Sequence, residues 1–370
     1  MTVARGIVRD MARHRHHWDP VCDPPKRLVR PVPLDPTGLS GPTRGQARSS
    51  KWRSASRGLY LPASVDSSLP EQRVLEASVL LPPGGAVTGW AALRLMRGSF
   101  FDGLMPDGAT ERPVMLAVGR DLHRTDPPGV RYSRAPVERN QVIVRQGIPC
   151  VLPERAVFDE MGTTDDLREA VVVMDMAAAA DITSINRVRT YVDRRTGCHG
   201  APLARQALEL ADENSRSPNE SRMRLTWVLD AELPRPLVNR EVFDRATGRL
   251  LGVADLLDEE AGLVGEYDGG EHAGARRRSK DAGRDGLFRD HGLEVFRVTA
   301  VDLASRRAVV DRALAARRRA TWLPRHLRTW TIQPPEHWEP APSLDEILDR
   351  RDLVRELHEG WDKEPGLPLR

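Results

Sequence analysis

The sequence predicts a mixed α/β protein, α+β overall, with an αβββαβ core in its C-terminal half. Its 370 residues are 40% hydrophobic and 29% charged, a composition that favours folded domains with a buried core over disorder. Three strand-like apolar runs, at 237–243, 250–257 and 263–268, stand between helical patterns. Short apolar runs separated by Pro and Gly between residues 112 and 150 predict a second group of strands.

Shifts in composition divide the chain into segments. The first segment is polar and rich in Pro and His, which predicts a flexible leader, and the last segment is acidic. The segments are a leader (1–35), a basic helix–strand module (36–110), an α/β middle region (111–211), the αβββαβ core (212–320) and an acidic C-terminal tail or helix (321–370).

The cysteines and the apolar runs indicate the cellular compartment in which the protein is expected. Cys22, Cys150 and Cys198 are isolated and form no CxxC pair, which argues against a disulfide scaffold and a structural zinc site. No apolar run is long enough to span a bilayer, and the N-terminus lacks the apolar segment of a secretory signal. We therefore expect a cytoplasmic protein without a membrane partner.

Charge is balanced over the whole chain but uneven along it. The net charge is +3, yet residues 1–58 carry a clear excess of basic side chains, and residues 304–328 contain several arginines against the single acid Asp311. Such excesses favour a polyanionic partner, because bound phosphates release condensed counterions. Arg44, Arg48, Lys51 and Arg53 are the candidate nucleic-acid contacts in the first stretch. The alternative is a solvated surface in a chain whose basic residues are nearly all arginine.

The basic module resembles a known DNA-binding group. Residues 43–62 predict a short basic helix followed by a strand at 58–62, residues 70–81 predict a helix, and another helix starts at Thr88. This stretch resembles the N-terminal winged-helix domain of the abortive-infection antitoxin group, with its RG-x-Y-x-P strand and WAAL-type helix. The resemblance implies a winged-helix-like module that binds DNA; a small structural helix–strand unit is the alternative.

The C-terminal core is delimited by helix and turn patterns. Ser217-Pro218-Asn219-Glu220 is a capping-box pattern with Pro at the first helical position. The strands are separated by turns at 246–248 and 259–262. A basic helix over about 276–291, a strand over 293–298 and a helix over about 302–319 complete the predicted order.

The turn at 259–262 predicts which side chains oppose each other. A four-residue loop pairs Asp258 with Leu263, so Asp255 lies opposite Glu266, with Asp268 two residues along on the same face. Both strands are apolar on both faces, which predicts a sheet that is buried on both sides. Opposed carboxylates repel unless a cation lies between them or one is protonated. Because oxygen ligands suit Mg²⁺, these three acids are candidate metal ligands; an exposed hairpin with its acids in water is the alternative.

The same region resembles a nuclease family. Gly265-Glu266-Tyr267-Asp268-Gly269-Gly270-Glu271-His272, then Arg284 and the run from Gly292 to Val298, is similar to the pattern E-x-D-G-x-x-H…R…L…G…V-x-R. That pattern belongs to the domain family related to very-short-patch-repair endonucleases, within the PD-(D/E)XK superfamily. The resemblance covers residues 215–320 and implies a restriction-endonuclease-like core.

The resemblance also implies roles for individual residues. Glu220 matches the acid of the first helix, Asp255 the Asp of the PD strand, Glu266 the (D/E) position and His272 the histidine beyond that strand. The sequence departs from the superfamily at Ala254, which stands in place of Pro, and at Asp268, which stands in place of Lys. The second replacement is shared with the repair-like branch.

The implied chemistry is phosphodiester hydrolysis assisted by Mg²⁺ or Mn²⁺. Asp255, Glu266 and Asp268 would hold the ion, His272 would move a proton, and Glu220 would orient a hydrated metal. The expected phosphate contacts are Arg276, Arg277, Arg278, Lys280 and Arg284. Each has a simpler alternative, because Glu220 can act only as a cap, His272 only as a turn residue and the basic run only as a solvated helix face.

The sequence thus predicts a DNA endonuclease in repair or defence, with DNA as its partner and a homodimer left open. A non-catalytic, antitoxin-like DNA-binding regulator on a nuclease-like scaffold is the alternative from another class.

Overall fold

The computed structural model describes residues 19–25, 27–105, 107–120, 125–269 and 286–361, with side chains as far as residue 354. These residues form two compact units. The N-terminal unit comprises residues 21–165 and 187–205, and the C-terminal unit comprises 19–20, 166–186 and the described residues from 206 onward. Both contain helices and a five-stranded sheet, so the predicted mixed α/β composition is confirmed.

The elements are numbered in chain order. The α-helices are α1 (Pro70–Ser78), α2 (Gly89–Leu95), α3 (Pro153–Met161), α4 (Leu167–Ala179), α5 (Ile185–Asp193), α6 (Ala201–Leu210), α7 (Pro218–Leu229), α8 (Ala300–Leu303), α9 (Arg306–Arg319) and α10 (Leu344–Trp361). The strands are β1 (Val32–Pro33), β2 (Trp52–Ser56), β3 (Leu59–Pro62), β4 (Ala86–Thr88), β5 (Val114–Ala117), β6 (Val130–Ser133), β7 (Val142–Arg145), β8 (Ile148–Val151), β9 (Leu237–Asp244), β10 (Leu250–Asp258), β11 (Leu263–Asp268), β12 (Glu294–Thr299) and β13 (Trp330–Thr331). Residues 286–290 are also helical.

The N-terminal unit contains two sheets. The smaller has the strand order β1-β3-β2 and is antiparallel, and the larger is a mixed sheet of order β6-β5-β4-β8-β7. Trp90, Leu93 and Leu116 are fully buried in this unit. Because β4 pairs with both β5 and β8, the boundary that we placed at residue 110 falls inside this unit.

The prediction of a basic α-helix near the start of 43–62 is wrong. The structure has a single 3-10 turn there, Gln46–Arg48, followed by strand β2, which pairs with β3. The Ser49 hydroxyl donates to the carbonyl of Gln46 at 2.6 Å, and the Ser49 backbone N–H bonds to the same carbonyl. Serine side chains compete in this way with continued helix formation, which explains why the turn stops.

The C-terminal unit is built around the sheet β12-β11-β10-β9-β13. Neighbouring strands are antiparallel except β11 and β12, which are parallel. One core cluster contains Leu256 and Leu263 with Trp227 of α7, and a second contains the alternate residues Leu257 and Val264. The sheet is therefore buried on both faces, as the apolar runs predict.

A buried ion pair fixes α7 to α4. Arg224 Nη2 lies 2.7 Å from Asp175 Oδ2, and both side chains are almost completely buried, at 1% and 0% exposure. Asp175 also accepts bonds from the Ser221 hydroxyl at 2.6 Å and from the Asp212 backbone N–H at 2.8 Å. These bonds set the position of the helix whose first turn carries Glu220.

None of the helices in the described part of the chain combines the length and the apolar character that crossing a bilayer requires.

The Asp175→Asn substitution should destabilise the protein strongly, because it leaves the Arg224 charge buried without its counter-ion. We expect a loss of about 3–5 kcal/mol in the free energy of unfolding, measured by urea denaturation. Asp311→Asn is the control, since Asp311 pairs with Arg307 on the exposed face of α9 and should cost about 0.5 kcal/mol or less. Equal losses in the two variants would contradict this account of the buried pair.

Candidate functional site

The hairpin of β10 and β11 has the register that the turn length predicts. Asp258 pairs with Leu263, Leu257 with Val264 and Leu256 with Gly265. The carboxylate of Asp258 closes the turn by accepting the N–H groups of Glu260 and Ala261 at 3.1 and 3.0 Å. The next position along each strand brings Asp255 opposite Glu266.

Both of these carboxylates are removed from solvent. Asp255 is 5% exposed and Glu266 is 2% exposed. Asp255 Oδ2 accepts the backbone N–H of Tyr267 at 2.8 Å, so the side chain of Asp255 binds β11 where the backbone pairing of the two strands ends. This bond holds the Asp255 side chain against β11.

A glycine allows the neighbouring ring to cover this part of β11. A Cβ atom on Gly265 would lie 2.9 Å from Cζ of Phe296 and 3.4 Å from the ring of Trp227. Phe296 and Trp227 stack on each other with their ring centroids 5.8 Å apart. The residue before Glu266 is therefore packed tightly on the face opposite the carboxylate.

The β12 side of the site is cationic. In the parallel pairing of β11 with β12, Glu266 stands beside Arg297 and Asp268 beside Thr299. Arg297 Nη1 lies 3.5 Å from Asp268 Oδ2, and both side chains are partly exposed. Asp268, which we predicted as a third metal ligand, thus has an arginine as an ion-pair partner.

The β9 side of the site carries Asn239, a residue that the sequence analysis missed. The pairs Leu256–Val238 and Ala254–Arg240 flank it, which places Asn239 beside Asp255. Its φ of 47° is in the left-handed region, which asparagine tolerates better than most residues.

The turn at 246–248 holds a signal for Asn239 that was not used. Counting outward with Arg245 opposite Arg249 places Asn239 opposite Asp255, and this is the pairing found beyond the register shift between Leu250 and Gly252. A further local signal is an asparagine within a strand, where this residue type is uncommon.

Glu220 connects α7 to this strand. Glu220 Oε2 accepts the side-chain N–H of Asn239 at 2.8 Å and the backbone N–H of Arg216 at 3.0 Å, and Oε1 accepts the Ser217 hydroxyl at 2.9 Å. The Ser217 hydroxyl in turn accepts the backbone N–H of Glu220 at 3.2 Å. Ser217 therefore caps the helix, as the capping pattern predicts, and the Glu220 side chain anchors Asn239.

Asn239, Asp255, Glu266 and Arg297 occupy adjacent positions on four neighbouring strands, and we call them the polar row. With a strand spacing of about 4.8 Å, the row is about 14 Å long. Its two central members are buried acids, and its ends are an amide and a guanidinium. The acids supply the hard oxygen ligands that Mg²⁺ and Mn²⁺ prefer.

The structure brings some of the predicted site residues together. Within the described residues, no group of three or more His, Cys, Asp or Glu side chains is arranged to hold a metal ion. His272 and the basic residues Arg276, Arg277, Arg278, Lys280 and Arg284 lie outside the described residues. Any cation at the described part of the site would depend on Asp255 and Glu266.

The predicted nucleic-acid contacts of the N-terminal unit differ from one another. Arg53 forms a two-pronged ion pair with Glu76, with N–O distances of 2.8 and 2.6 Å, so its guanidinium is engaged within the unit. Arg44, Arg48 and Lys51 are exposed. These three remain candidate phosphate contacts.

No protein-family model, curated protein or solved structure matches this chain. The functional proposal therefore depends on the chemistry of the polar row and on the motifs of the sequence.

Replacing Asn239 with alanine should destabilise the C-terminal unit. The change removes the bond to Glu220 and a second bond, from Asn239 Nδ2 to the carbonyl of Asn214 at 2.8 Å, and it places alanine at a positive φ. We expect a loss of about 2–4 kcal/mol in the free energy of unfolding. Asn140→Ala, at an exposed position, is the control and should change stability by less than about 0.5 kcal/mol. Similar stability of the two variants would show that Asn239 does not hold the row.

Proposed function

We propose that this protein is a metal-dependent endonuclease that hydrolyses phosphodiester bonds in DNA, in repair or defence. The observation that carries the proposal is the placement of two buried carboxylates, Asp255 and Glu266, side by side on the central strands of a sheet. Acids are seldom buried together in a sheet that is otherwise apolar on both faces. Their retention needs a physical reason, and binding a cation supplies one.

The electrostatic cost of this arrangement supports a cation. Two unit charges about 5 Å apart repel by about 3 kcal/mol at an effective dielectric constant of about 20. The N–H of Tyr267 offsets part of this cost at Asp255, and Arg297 stands beside Glu266. A divalent ion between the two carboxylates would attract both of them and so oppose their mutual repulsion.

The donor set fits Mg²⁺ or Mn²⁺. Asp255 and Glu266 would hold the ion through carboxylate oxygens, with Asp268 reaching it through water. When bound, such an ion polarises a phosphoryl oxygen and lowers the pKa of a bound water.

The chain's own residues have positioning roles in this proposal. Arg297 would bind the negative charge of the scissile phosphate, while its ion pair with Asp268 orients the guanidinium. Asn239 and Glu220 hold the β9 side of the row. His272 and the basic residues from Arg276 to Arg284 follow β11 directly in the sequence, as the resemblance to repair endonucleases implies.

A second candidate function is a DNA-binding regulator that keeps this scaffold without catalysis. The contacts of the acids favour it, because Asp255 accepts the Tyr267 N–H, Asp268 pairs with Arg297 and Glu220 accepts the side-chain N–H of Asn239. On this proposal the carboxylates stabilise the fold, and DNA binding depends on basic residues alone.

Plasmid nicking separates the two candidates. We expect the wild-type protein to nick supercoiled DNA with Mg²⁺ or Mn²⁺ but not with EDTA. Asp255→Asn and Glu266→Gln should each lower the rate about 100-fold or more, because each removes a ligand from the metal site. Asp311→Asn, which changes an exposed carboxylate on α9, should nick at the wild-type rate.

Thermal melting gives a readout that does not require turnover. A divalent ion at about 100 times its Kd should stabilise the wild-type protein by about 2.7 kcal/mol, and should have little effect on the Asp255→Asn protein. Retained DNA binding with neither nicking nor stabilisation by divalent ions would establish the regulator and overturn the nuclease.

A further inference from the structure

A second charged site lies in the C-terminal unit, where the turn after β10 meets the segment before β13. A cavity of about 230 Å³ opens there. Its charged lining residues are Arg245, Glu259, Arg325 and Arg328, and its floor includes Trp330. We call it the arginine cleft.

Arg328 is the fixed part of this cleft. The residue is only 7% exposed, and its guanidinium lies over the Trp330 ring, 5.0 Å from the ring centroid. Its Nε donates to the carbonyl of Leu323 at 2.7 Å, and its Nη2 donates to the carbonyl of Glu260 at 3.3 Å. These contacts hold the charge in place before any ligand arrives, which lowers the entropy lost on binding.

The wall of the cleft has more positive than negative charge. Among the described residues, Glu259 is the only acid that lines it, and both Arg325 at 3.0 Å and Arg328 at 3.5 Å share this carboxylate. The guanidinium of Arg245 has no hydrogen bond or ion pair with any residue in the described ranges. Burial lowers the pKa of Arg328, and the nearby charges of Arg325 and Arg245 lower it further, against the opposing effect of Glu259.

The arginines of α9 provide a contrast. Arg312 pairs with Asp302, Arg317 with Asp258 and Arg319 with Glu294, so each of these guanidiniums has its own acid. Arg307 also pairs with Asp311, and of the α9 arginines only Arg306 and Arg318 have no ion-pair partner among the described residues. In the cleft, by contrast, Arg325 and Arg328 share one carboxylate.

We propose that the arginine cleft binds a phosphate group of the DNA backbone. A planar guanidinium presents paired N–H donors that match phosphate oxygens. Three guanidiniums line this cleft, and two of them share its one carboxylate. The volume of about 230 Å³ accommodates a phosphate and its adjoining sugar. The proposal rests on the proposed function in one respect, the choice of DNA as the source of the phosphate.

The position of the cleft agrees with this choice. Glu259 follows Asp255 by four residues, so their Cα atoms are at most about 14 Å apart. Phosphates on one strand of B-DNA rise by about 3.4 Å per nucleotide along the helix axis. A DNA strand bound at the polar row would thus bring a phosphate to the cleft within a few nucleotides of the bound position.

The test measures DNA binding without catalysis. A fluorescent 20-base-pair duplex is titrated with the full chain in EDTA at several salt concentrations. Arg245→Gln should reduce the magnitude of the negative slope of log K, the association constant, against log salt concentration by about 1. It should also weaken binding about 5- to 10-fold near 0.1 M salt. Arg325→Gln should act in the same direction, and Arg245→Lys, which keeps the charge, should retain the slope.

Arg350→Gln is the matched control, because Arg350 is exposed on α10 and removal of its charge leaves the cleft intact. Thermal melting of each variant checks that the fold is unchanged, as expected for exposed side chains. Equal slopes for wild type, Arg245→Gln and Arg350→Gln would overturn the proposal.

A final arm separates the two sources of phosphate. Inorganic phosphate is added at constant ionic strength, and melting temperature is measured. Stabilisation of wild type but not of Arg245→Gln, together with unchanged DNA binding, would assign the cleft to a free phosphate compound and overturn the DNA assignment. A changed DNA slope without plasmid nicking would leave the cleft in place and reject only the nuclease.

Discussion

The carboxylate of Asp258 closes the turn between β10 and β11, and the rest of the C-terminal unit depends on this closure. It accepts two backbone N–H groups of the turn and also pairs with Arg317 of α9 at 3.2 Å. A slip of one residue in this pairing would exchange the two faces of β11 and turn Glu266 away from Asp255. The same interaction therefore sets the register of the sheet, the position of a covering helix and the alignment of the acids.

Charge in this protein is organised as many separate pairs. In one unit Asp175 and Arg224 form a fully buried pair, and in the other the buried Glu160 pairs with the partly exposed Arg112 at 2.6 Å. Segment totals taken from the sequence overstate the basic surface, since most acids that neutralise α9 come from distant parts of the chain. The positive charge that no acid neutralises is confined to a few places on the surface. A negatively charged ligand gains most from binding at these places.

Features that depend on residues close together in the sequence were predictable, and features that depend on contacts between distant elements were not. The register of β10 with β11 depends on one short turn, so counting residues was enough to predict the neighbouring acids. A count from the turn at 246–248 also places Asn239 opposite Asp255, but the bond from Asn239 to Glu220 depends on how α7 packs on the sheet, which no count along a hairpin includes. The pairing of Arg53 with Glu76 joins two elements 23 residues apart, and the charge pattern of the helix–strand stretch alone carried no trace of it. The helix over 70–81 was predicted correctly at its start but ends at Ser78, shortly before Pro82 and Pro83, where the backbone disfavours helix.

Gly265 gives the acidic pair a dependence on apolar packing. A methyl group at this position would approach the Phe296 ring more closely than carbon atoms normally come, so either the ring, which is stacked on Trp227, or β11 would have to move. A shift of β11 would displace Glu266. Substitutions of the aromatic residues on that face are consequently limited by two requirements. They must preserve the stability of the core, and they must preserve the position of Glu266 on the other side of the strand. Over evolutionary time, the core around Trp227 and Phe296 would therefore be expected to drift slowly.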